Sequence, residues 1–245
     1  DAGSVSCRAE KVEGGYILNG TKCFITNAPI ADKITLFANT REGGGIRGLT
    51  VFLVDADTKG ISIGKEEDKM GIRASATAEI IFEDCFVPDS ARAGKEGRGF
   101  MIAMQTLQMS RPVVAAISVG IAQAAIEAAV AYSHHRKQFG VKIATFEMVQ
   151  QMIADMVMKT EAARILTYKA CVAQMNKDKK AGLYSAMSKC FASDTAMEVT
   201  TTAVQVMGGN GYSRENPVEK YMRDAKIMQI YEGTNQVQRL VIANE

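Results

Sequence analysis

The pattern of apolar and polar positions changes character near residue 98 of this 245-residue chain. Before that point, short runs rich in β-branched and aromatic residues alternate with Gly, Asn and Asp turns, without helical spacing between them. Many short strands separated by turn signals are typical of an antiparallel barrel or sandwich. Asn19-Gly20 after the first run predicts a hairpin turn. The predicted strands cover residues 16–18, 23–26, 34–38, 49–54, 60–63 and 78–82.

After Gly97 the apolar residues recur at helical spacing. Pro112 lies inside the first helical segment and predicts a kink or a break, because proline removes one hydrogen bond of the helix. Three long helices followed by shorter ones predict an antiparallel bundle. The sequence therefore predicts an α+β protein with a β-domain over residues 1–97 and a helical domain over 98–245. The predicted helices cover residues 100–139, 146–176, 182–207, 217–228 and a last segment capped by Thr234 or Gly233.

The amino-acid composition bears on whether the chain binds nucleic acid, a membrane or a metal ion. With 47% hydrophobic and 23% charged residues, the chain is typical of globular proteins. A net charge of +2 and the lack of an uninterrupted apolar run of about 18 residues give no reason to expect a nucleic-acid or membrane partner. Five widely spaced cysteines without a CxxC pair and two adjacent histidines predict neither a metal site nor a disulfide framework. Reduced thiols favour a bacterial cytoplasm or a mitochondrial matrix.

Glu232 lies on a Tyr-Glu-Gly-Thr turn that precedes the last helix. One interpretation is an exposed carboxylate in a turn, as for most glutamates. The other is a general base, because Ile230 and Tyr231 are apolar or aromatic and Gly233 lets the backbone approach another group closely. A carboxylate held among apolar groups has a raised pKa and can take up a proton near neutral pH. The spacing alone leaves both interpretations open.

Two further segments contain residues suited to phosphate groups. Arg136 and Gln138 lie at the end of the first long helix, where they could complement the helix dipole or bind phosphate, with Phe139 packing on a base. The Gly208-Gly209 turn could be a helix C-cap or could bring backbone amides close to a ligand. It is not a P-loop, since no Gly-Lys-Ser/Thr follows, and not a dinucleotide fingerprint, since no strand precedes it.

Several segments taken in order are more specific than any one of them. They are DAGS (residues 1–4), GTKCFITNA (20–28), RPVVAA (111–116), RKQFG (136–140), QVMGGNG (205–211) and PVEKYMRDAKIMQIYEGTNQVQRLVIA (217–243). Their order and spacing resemble the acyl-CoA dehydrogenase family over essentially the whole chain. The resemblance implies an N-terminal helical domain, a middle β-domain and a C-terminal helical bundle. The last two match this chain, and DAGS falls where the family's middle domain is already under way, so we expect part of a longer protein or a fragment.

The resemblance also implies a reaction. Members of the family use FAD to convert a saturated acyl-CoA thioester to its trans-2-enoyl form. Glu232 matches the catalytic base that removes the α-proton, while the β-hydride goes to flavin N5. The developing enolate oxygen needs preorganised donors, which in the family are the backbone N–H of this glutamate and a ribityl hydroxyl of FAD. One branch of the family carries its base at the position of Ser110, which cannot act as a carboxylate base.

Further residues match the family's cofactor and substrate contacts. Thr26 matches the hydroxyl donor to flavin N5, and Phe24 stands where the family usually has Trp, a residue that this chain lacks. The implied FAD contacts are Ala2, Gly3, Ser4, Phe24, Ile25, Thr26, Arg136, Gln138, Phe139, Gln205, Gly208, Gly209, Thr234 and Gln236. The implied acyl-CoA contacts are Ser4, Arg111, Tyr231 and Gly233. Contacts from residues 136–139 and 205–209 reach FAD across a subunit boundary in the family, which implies a homo-oligomer, in the family pattern a tetramer.

Three functions stay open at this point. The first is a dehydrogenase that passes electrons to an electron-transferring flavoprotein. The second is an enoyl-CoA reductase that runs the reverse reaction in a flavoprotein complex, since sequence does not fix direction. The third is a non-catalytic fragment or scaffold of the same fold, which stable FAD binding would argue against. The sequence does not specify acyl chain length or branching, although general similarity favours short or medium chains.

Overall fold

The computed structural model describes residues 3–244, which divide into two compact units. The first unit comprises residues 3–69 and 73–106, and the second comprises residues 70–72 and 107–244. The division falls inside the first long helix, whereas the change in sequence pattern lies near residue 98. The α+β fold class, a sheet followed by a helical bundle, is confirmed.

The first unit is built on a seven-stranded sheet with the strand order β5-β6-β2-β1-β3-β4-β7. Neighbouring strands pair antiparallel except β1 and β3, which are parallel. The strands are β1 Arg8–Val12, β2 Gly15–Thr26, β3 Lys33–Asn39, β4 Leu49–Asp55, β5 Ile61–Glu66, β6 Thr77–Pro88 and β7 Arg92–Ala93.

The predicted hairpin turn at Asn19-Gly20 is wrong, because β2 runs through both residues. The Asn19 side chain instead exchanges two hydrogen bonds with Asp84 on β6, at 3.1 and 2.8 Å. The register of the two strands shifts between Leu18 and Gly20, which marks a β-bulge. The turn lies earlier, at Gly14, which has a φ of 77° and connects β2 to a strand that the sequence pattern did not predict.

The sheet curls around one apolar core. The rings of Tyr16 on β2 and Phe52 on β4 lie 5.0 Å apart, edge to face, and both are fully buried. Two strands separate β2 from β4 in the sheet order, so a flat sheet would hold these strands about 14 Å apart. The ring contact therefore requires strong curvature, with alternate residues of five strands directed to the concave side.

Helices make up most of the second unit. A short two-stranded ladder, β8 Lys137–Gln138 and β9 Val141–Lys142, separates the first two helices. Thr234 caps the last helix, since its hydroxyl accepts from the Val237 N–H at 3.3 Å, as the sequence predicted. The helices are α1 Gly99–His135, α2 Glu147–Met175, α3 Ala181–Met207, α4 Gly209–Tyr212, α5 Val218–Met228 and α6 Asn235–Ala243.

The break expected at Pro112 does not occur, because α1 continues through it. Proline at this position leaves the carbonyl of Gln108 without its usual N–H donor. The side chain of Gln174 on α2 supplies a replacement, since its Nε2 donates to Gln108 O at 2.8 Å. A long-range side-chain contact therefore satisfies the carbonyl that the proline leaves unpaired.

Small residues let the helices pack closely. Ala122, Ala125 and Ala129 of α1 share a buried cluster with Ala196 and Ala203 of α3. By length and composition alone, α1 is also apolar enough to cross a membrane, although it contains no uninterrupted apolar run of about 18 residues. The core helix of a globular domain passes the same test, so this property by itself assigns no membrane role.

Candidate functional site

Residues 229–234, here called the Glu232 turn, connect α5 to α6. Glu232 has a φ of 57° and Gly233 a φ of 89°. A positive φ costs a non-glycine residue about 1–3 kcal/mol, and such residues concentrate at functional sites. Seven described non-glycine residues have a positive φ, and three of them, Phe24, Phe139 and Glu232, are among the residues that the sequence assigned to the site.

The carboxylate of Glu232 has polar neighbours. Ser110 Oγ on α1 donates to Glu232 Oε2 at 2.5 Å. Arg111, the next residue, is buried, and burial lowers its pKa while the charge of Glu232 acts in the opposite direction. The Nε of Arg111 is buried without a hydrogen bond. The surroundings of Glu232 are therefore not wholly apolar, because α1 brings a hydroxyl into hydrogen-bond contact with the carboxylate and a buried guanidinium close enough for its pKa to be affected by the carboxylate charge.

Two buried side chains hold the backbone of the turn. Gln238 Nε2 on α6 donates to Glu232 O at 3.2 Å and to Gly233 O at 2.9 Å. Lys189 Nζ on α3 donates to Gly233 O at 2.9 Å and to Asn235 Oδ1 at 2.8 Å. Sequence reasoning missed these residues, although a lysine within the small and apolar residues of α3 is a signal that could have pointed to them.

A side chain at Gly233 is disfavoured by its φ and would also displace the end of the Gln238 side chain. A Cβ at this position would lie 2.6 Å from Gln238 Nε2. Tyr231 is half-buried and its hydroxyl donates to Met228 Sδ at 2.8 Å. Burial, with the charge of Glu232 as a smaller cause, raises the pKa of Tyr231. Gln236 is exposed on α6.

A second group of predicted residues surrounds a cavity of about 360 Å³. Four of them line it: Arg136, Gln138, Gly208 and Gly209. Gln205 is exposed and does not line the cavity. The cavity is lined by Tyr132, Arg136, Gln138, Ile143, Val206, Met207, Gly208, Gly209 and Asn210.

This cavity has the chemistry of a diphosphate or nucleotide site. Within residues 3–244, no carboxylate forms an ion pair with Arg136, so its guanidinium fork is available to phosphate oxygens. A Cβ at Gly208 or Gly209 would meet no atom within 4 Å, which leaves room for a ligand beside the backbone. Phe139 is 95% exposed and packs edge to face on Phe146. The residues present therefore fit the diphosphate and adenosine end of FAD.

The remaining predicted contacts lie in the first unit. Phe24 is 72% exposed, has a φ of 56° and lies where the register of β2 and β6 shifts between Lys22 and Ile25. Bulges of this kind redirect a side chain and occur next to active sites. Ile25 packs on the core of the sheet, and Thr26 is exposed at the end of β2. Gly3 is half-buried and Ser4 is exposed before β1, whereas Ala2 lies outside the described residues.

Comparison with known proteins identifies the same family in both parts of the chain. Residues 1–85 match the family model described as acyl-CoA dehydrogenase, middle domain, and residues 97–245 match the one described as acyl-CoA dehydrogenase, C-terminal domain. The chain is 49% identical over 243 residues to probable acyl-CoA dehydrogenase FadE25 of Mycobacterium tuberculosis, which covers 99% of this chain and 62% of that protein.

Solved structures agree with these matches. Butyryl-CoA dehydrogenase from Megasphaera elsdenii is 48% identical, with a TM-score of 0.95 over 98% of this chain and 62% of that chain. A chain in a structure described as the electron transferring flavoprotein of Acidaminococcus fermentans is 52% identical, with a TM-score of 0.95 over 97% of this chain and 62% of that chain. The chain thus spans less than two thirds of the length of the proteins that it matches.

Proposed function

Because the chain belongs to the acyl-CoA dehydrogenase family, we propose that this protein converts an acyl-CoA thioester to the trans-2-enoyl-CoA, with Glu232 as the catalytic base. The observation that carries the proposal is the position of the Glu232 carboxylate. It projects from a turn with two consecutive positive φ values, accepts a hydrogen bond from Ser110, and carries a charge that raises the pKa of the buried Arg111 against the effect of burial. A carboxylate fixed in this way can take a proton from a fixed direction.

The backbone of the same residue supports the proposal. The N–H of Glu232 makes no hydrogen bond to any described residue. A thioester carbonyl that accepted this N–H would place its α-carbon close to the side chain of the same residue. Such a donor would stabilise the negative charge that develops on the carbonyl oxygen as the α-proton leaves. One residue would therefore supply the base and one oxyanion donor.

We propose FAD as the cofactor, which when bound supplies an acceptor for the hydride of the β-carbon. Arg136 and Gln138 would bind its diphosphate and adenosine end, with the Gly208-Gly209 backbone alongside. Phe24 and Thr26 are proposed as flavin contacts, as the family resemblance implies. The exposure and positive φ of Phe24 support this assignment, since the strained backbone turns an aromatic side chain away from the core.

The comparisons support a short acyl group and a flavoprotein partner. Butyryl-CoA dehydrogenase acts on a four-carbon thioester by its name, and we propose a short-chain acyl-CoA as substrate here. We further propose an electron-transferring flavoprotein as the electron partner and a homo-oligomer, in the family pattern a tetramer, as the active form. The similarity to a chain from a study of electron bifurcation also supports the reverse reaction, enoyl-CoA reduction, as a second candidate. The reduction potential of the electron-transferring partner would decide whether the protein oxidises acyl-CoA or reduces enoyl-CoA.

The test is anaerobic mixing of the full-length protein, loaded with FAD, with a panel of saturated acyl-CoA thioesters. Wild type should bleach the visible flavin band with butyryl-CoA, and Glu232→Gln should slow the bleaching about 10²–10⁴-fold, the usual contribution of a general base. Glu215→Gln, an exposed carboxylate in the same unit, is the matched control and should bleach normally. Bleaching of Glu232→Gln at the wild-type rate would move the base to another residue. A protein that never takes up FAD would support the scaffold alternative.

A further inference from the structure

Lys189 is a charged residue in the interior of the second unit. It lies in the first half of α3 and is 0% exposed. A lysine is almost never fully buried unless it is paired. Its Nζ donates to Gly233 O at 2.9 Å and to Asn235 Oδ1 at 2.8 Å, on either side of Thr234. Neither the sequence pattern nor the proposed reaction gives this residue a role.

We propose that Lys189 is a positioning residue, which fixes the Glu232 turn by binding the Gly233 carbonyl and the Asn235 side chain from α3. The inference rests on the proposed role of Glu232 as base. The Gly233 carbonyl belongs to the residue directly after Glu232, so its position constrains the direction in which the carboxylate projects.

Asn235 extends this contact into a network. Its Nδ2 lies 2.7 Å from Asp194 Oδ1 and 2.8 Å from Ser193 Oγ, both on α3. Asp194 Oδ1 also accepts from Gln229 Nε2 at 2.7 Å. Gln229 precedes Glu232 and Asn235 follows it, so α3 holds both ends of the turn. Of the contacts that α3 makes to the turn, the one from Lys189 to Gly233 O lies nearest to Glu232 along the chain.

A purely structural lysine would have different consequences. Its loss would weaken the whole second unit and leave the reaction rate of the folded enzyme unchanged. A positioning residue, in contrast, controls the local opening of one turn and the rate of the step that the turn performs. Local opening is measurable, because amide hydrogen exchange reports it segment by segment.

The first experiment compares Lys189→Met with wild type in the full-length, FAD-loaded protein. Methionine keeps the length of the side chain and removes its donors. Hydrogen–deuterium exchange of peptides covering residues 229–236 should become about tenfold faster in the variant, with unchanged exchange in α1 and α2. Thr200→Val is the matched control, because Thr200 is a buried polar residue of α3 whose hydroxyl bonds only within its own helix. It should leave exchange in the turn unchanged.

The second readout is the limiting rate of flavin reduction by saturating butyryl-CoA. Lys189→Met should lower this rate up to about 10²-fold, as expected for a catalytic group misplaced by roughly 1 Å, with unchanged FAD content and unchanged acyl-CoA affinity. If the methionine variant does not fold, Lys189→Gln, which keeps a shorter amide donor, takes its place and should change both the rate and the exchange in the same direction by a smaller amount.

The two readouts separate the inference from the reaction on which it rests. Wild-type exchange in the turn of a folded Lys189 variant would overturn the inference, and so would acceleration spread evenly over α1 to α3. If wild type reduced no flavin with any thioester, the proposed function would fail. The exchange experiment would then still decide whether Lys189 holds the turn.

Discussion

Replacement of Gly233 by alanine tests the geometry of the Glu232 turn directly. Gly233 has a φ of 89°, and a Cβ there would lie 2.6 Å from Gln238 Nε2. Two costs follow. An alanine forced into the left-handed region loses about 1–2 kcal/mol. The Gln238 amide would also have to move away from Glu232 O and Gly233 O, and each lost hydrogen bond costs about 1 kcal/mol. We expect Gly233→Ala to lower the free energy of unfolding by about 2–4 kcal/mol.

Gly140 provides a matched control in the same unit. Its φ is 84°, almost that of Gly233, but a Cβ there would meet no atom within 4 Å. Gly140→Ala should therefore carry the backbone strain alone, about 1–2 kcal/mol. The difference between the two variants measures the conflict with Gln238. Denaturant unfolding of both variants and wild type at one protein and FAD concentration gives these free energies, provided that the denaturant dependence is the same for all three.

A double variant makes the test sharper. Truncation of Gln238 to alanine removes the atom that the new Cβ would meet, so Gly233→Ala should cost less in that background than in wild type. Equal destabilisation by Gly233→Ala and Gly140→Ala, together with additive costs in the double variant, would refute the reasoning. Gln238 would then not pack against Gly233 in solution as it does in this structure.

Three further predictions concern other parts of the second unit. Arg136→Ala should weaken FAD retention, measured as flavin content after gel filtration, more than it changes the reduction rate of bound flavin, because this guanidinium is available to phosphate. Gln174→Met should lower the free energy of unfolding by about 1–2 kcal/mol, and less in a Pro112→Ala background, where residue 112 regains an N–H for the Gln108 carbonyl. Burial lowers the pKa of Lys189 from an ordinary 10.5 to about 8. Between these values the unfolded chain binds more protons, so from pH 7 to 10 the stability of wild type should rise by about 2–3 kcal/mol relative to Lys189→Met.

For each of these three predictions, a specific experimental result would contradict the reasoning. Lys137→Ala, at the next residue but outside the cavity, is the control for Arg136, and equal loss of FAD in both would argue against a specific phosphate contact. Equal cost of Gln174→Met with and without Pro112 would mean that its amide does not replace the missing donor. A pH-independent stability difference between wild type and Lys189→Met would show that the lysine keeps its ordinary pKa when buried.

The sequence was sufficient for features that depend on local periodicity. The long apolar repeats gave the helices, and the short runs bounded by turn residues gave most of the strands. The sequence was misleading where a side chain from a distant part of the chain overrides the local preference for a turn or a helix break. Asn19-Gly20 is a strong turn signal, but Asp84 engages the asparagine side chain from another strand, and β2 continues. Pro112 is a helix breaker, but Gln174 supplies the missing donor from another helix.

The same distinction applies to the candidate site. Glu232 and Gly233 could be singled out because a carboxylate beside a glycine in a turn is visible in the sequence. The groups that contact them were not identified: Ser110 and Lys189 lie far from the turn along the chain, and Gln238, although only six residues after Glu232, carries no local signal of this contact. A carboxylate in a strained turn is useful as a base only if its direction is fixed. The local sequence around Glu232 therefore shows the turn but not the contacts that the structure makes to it from α1, α3 and α6.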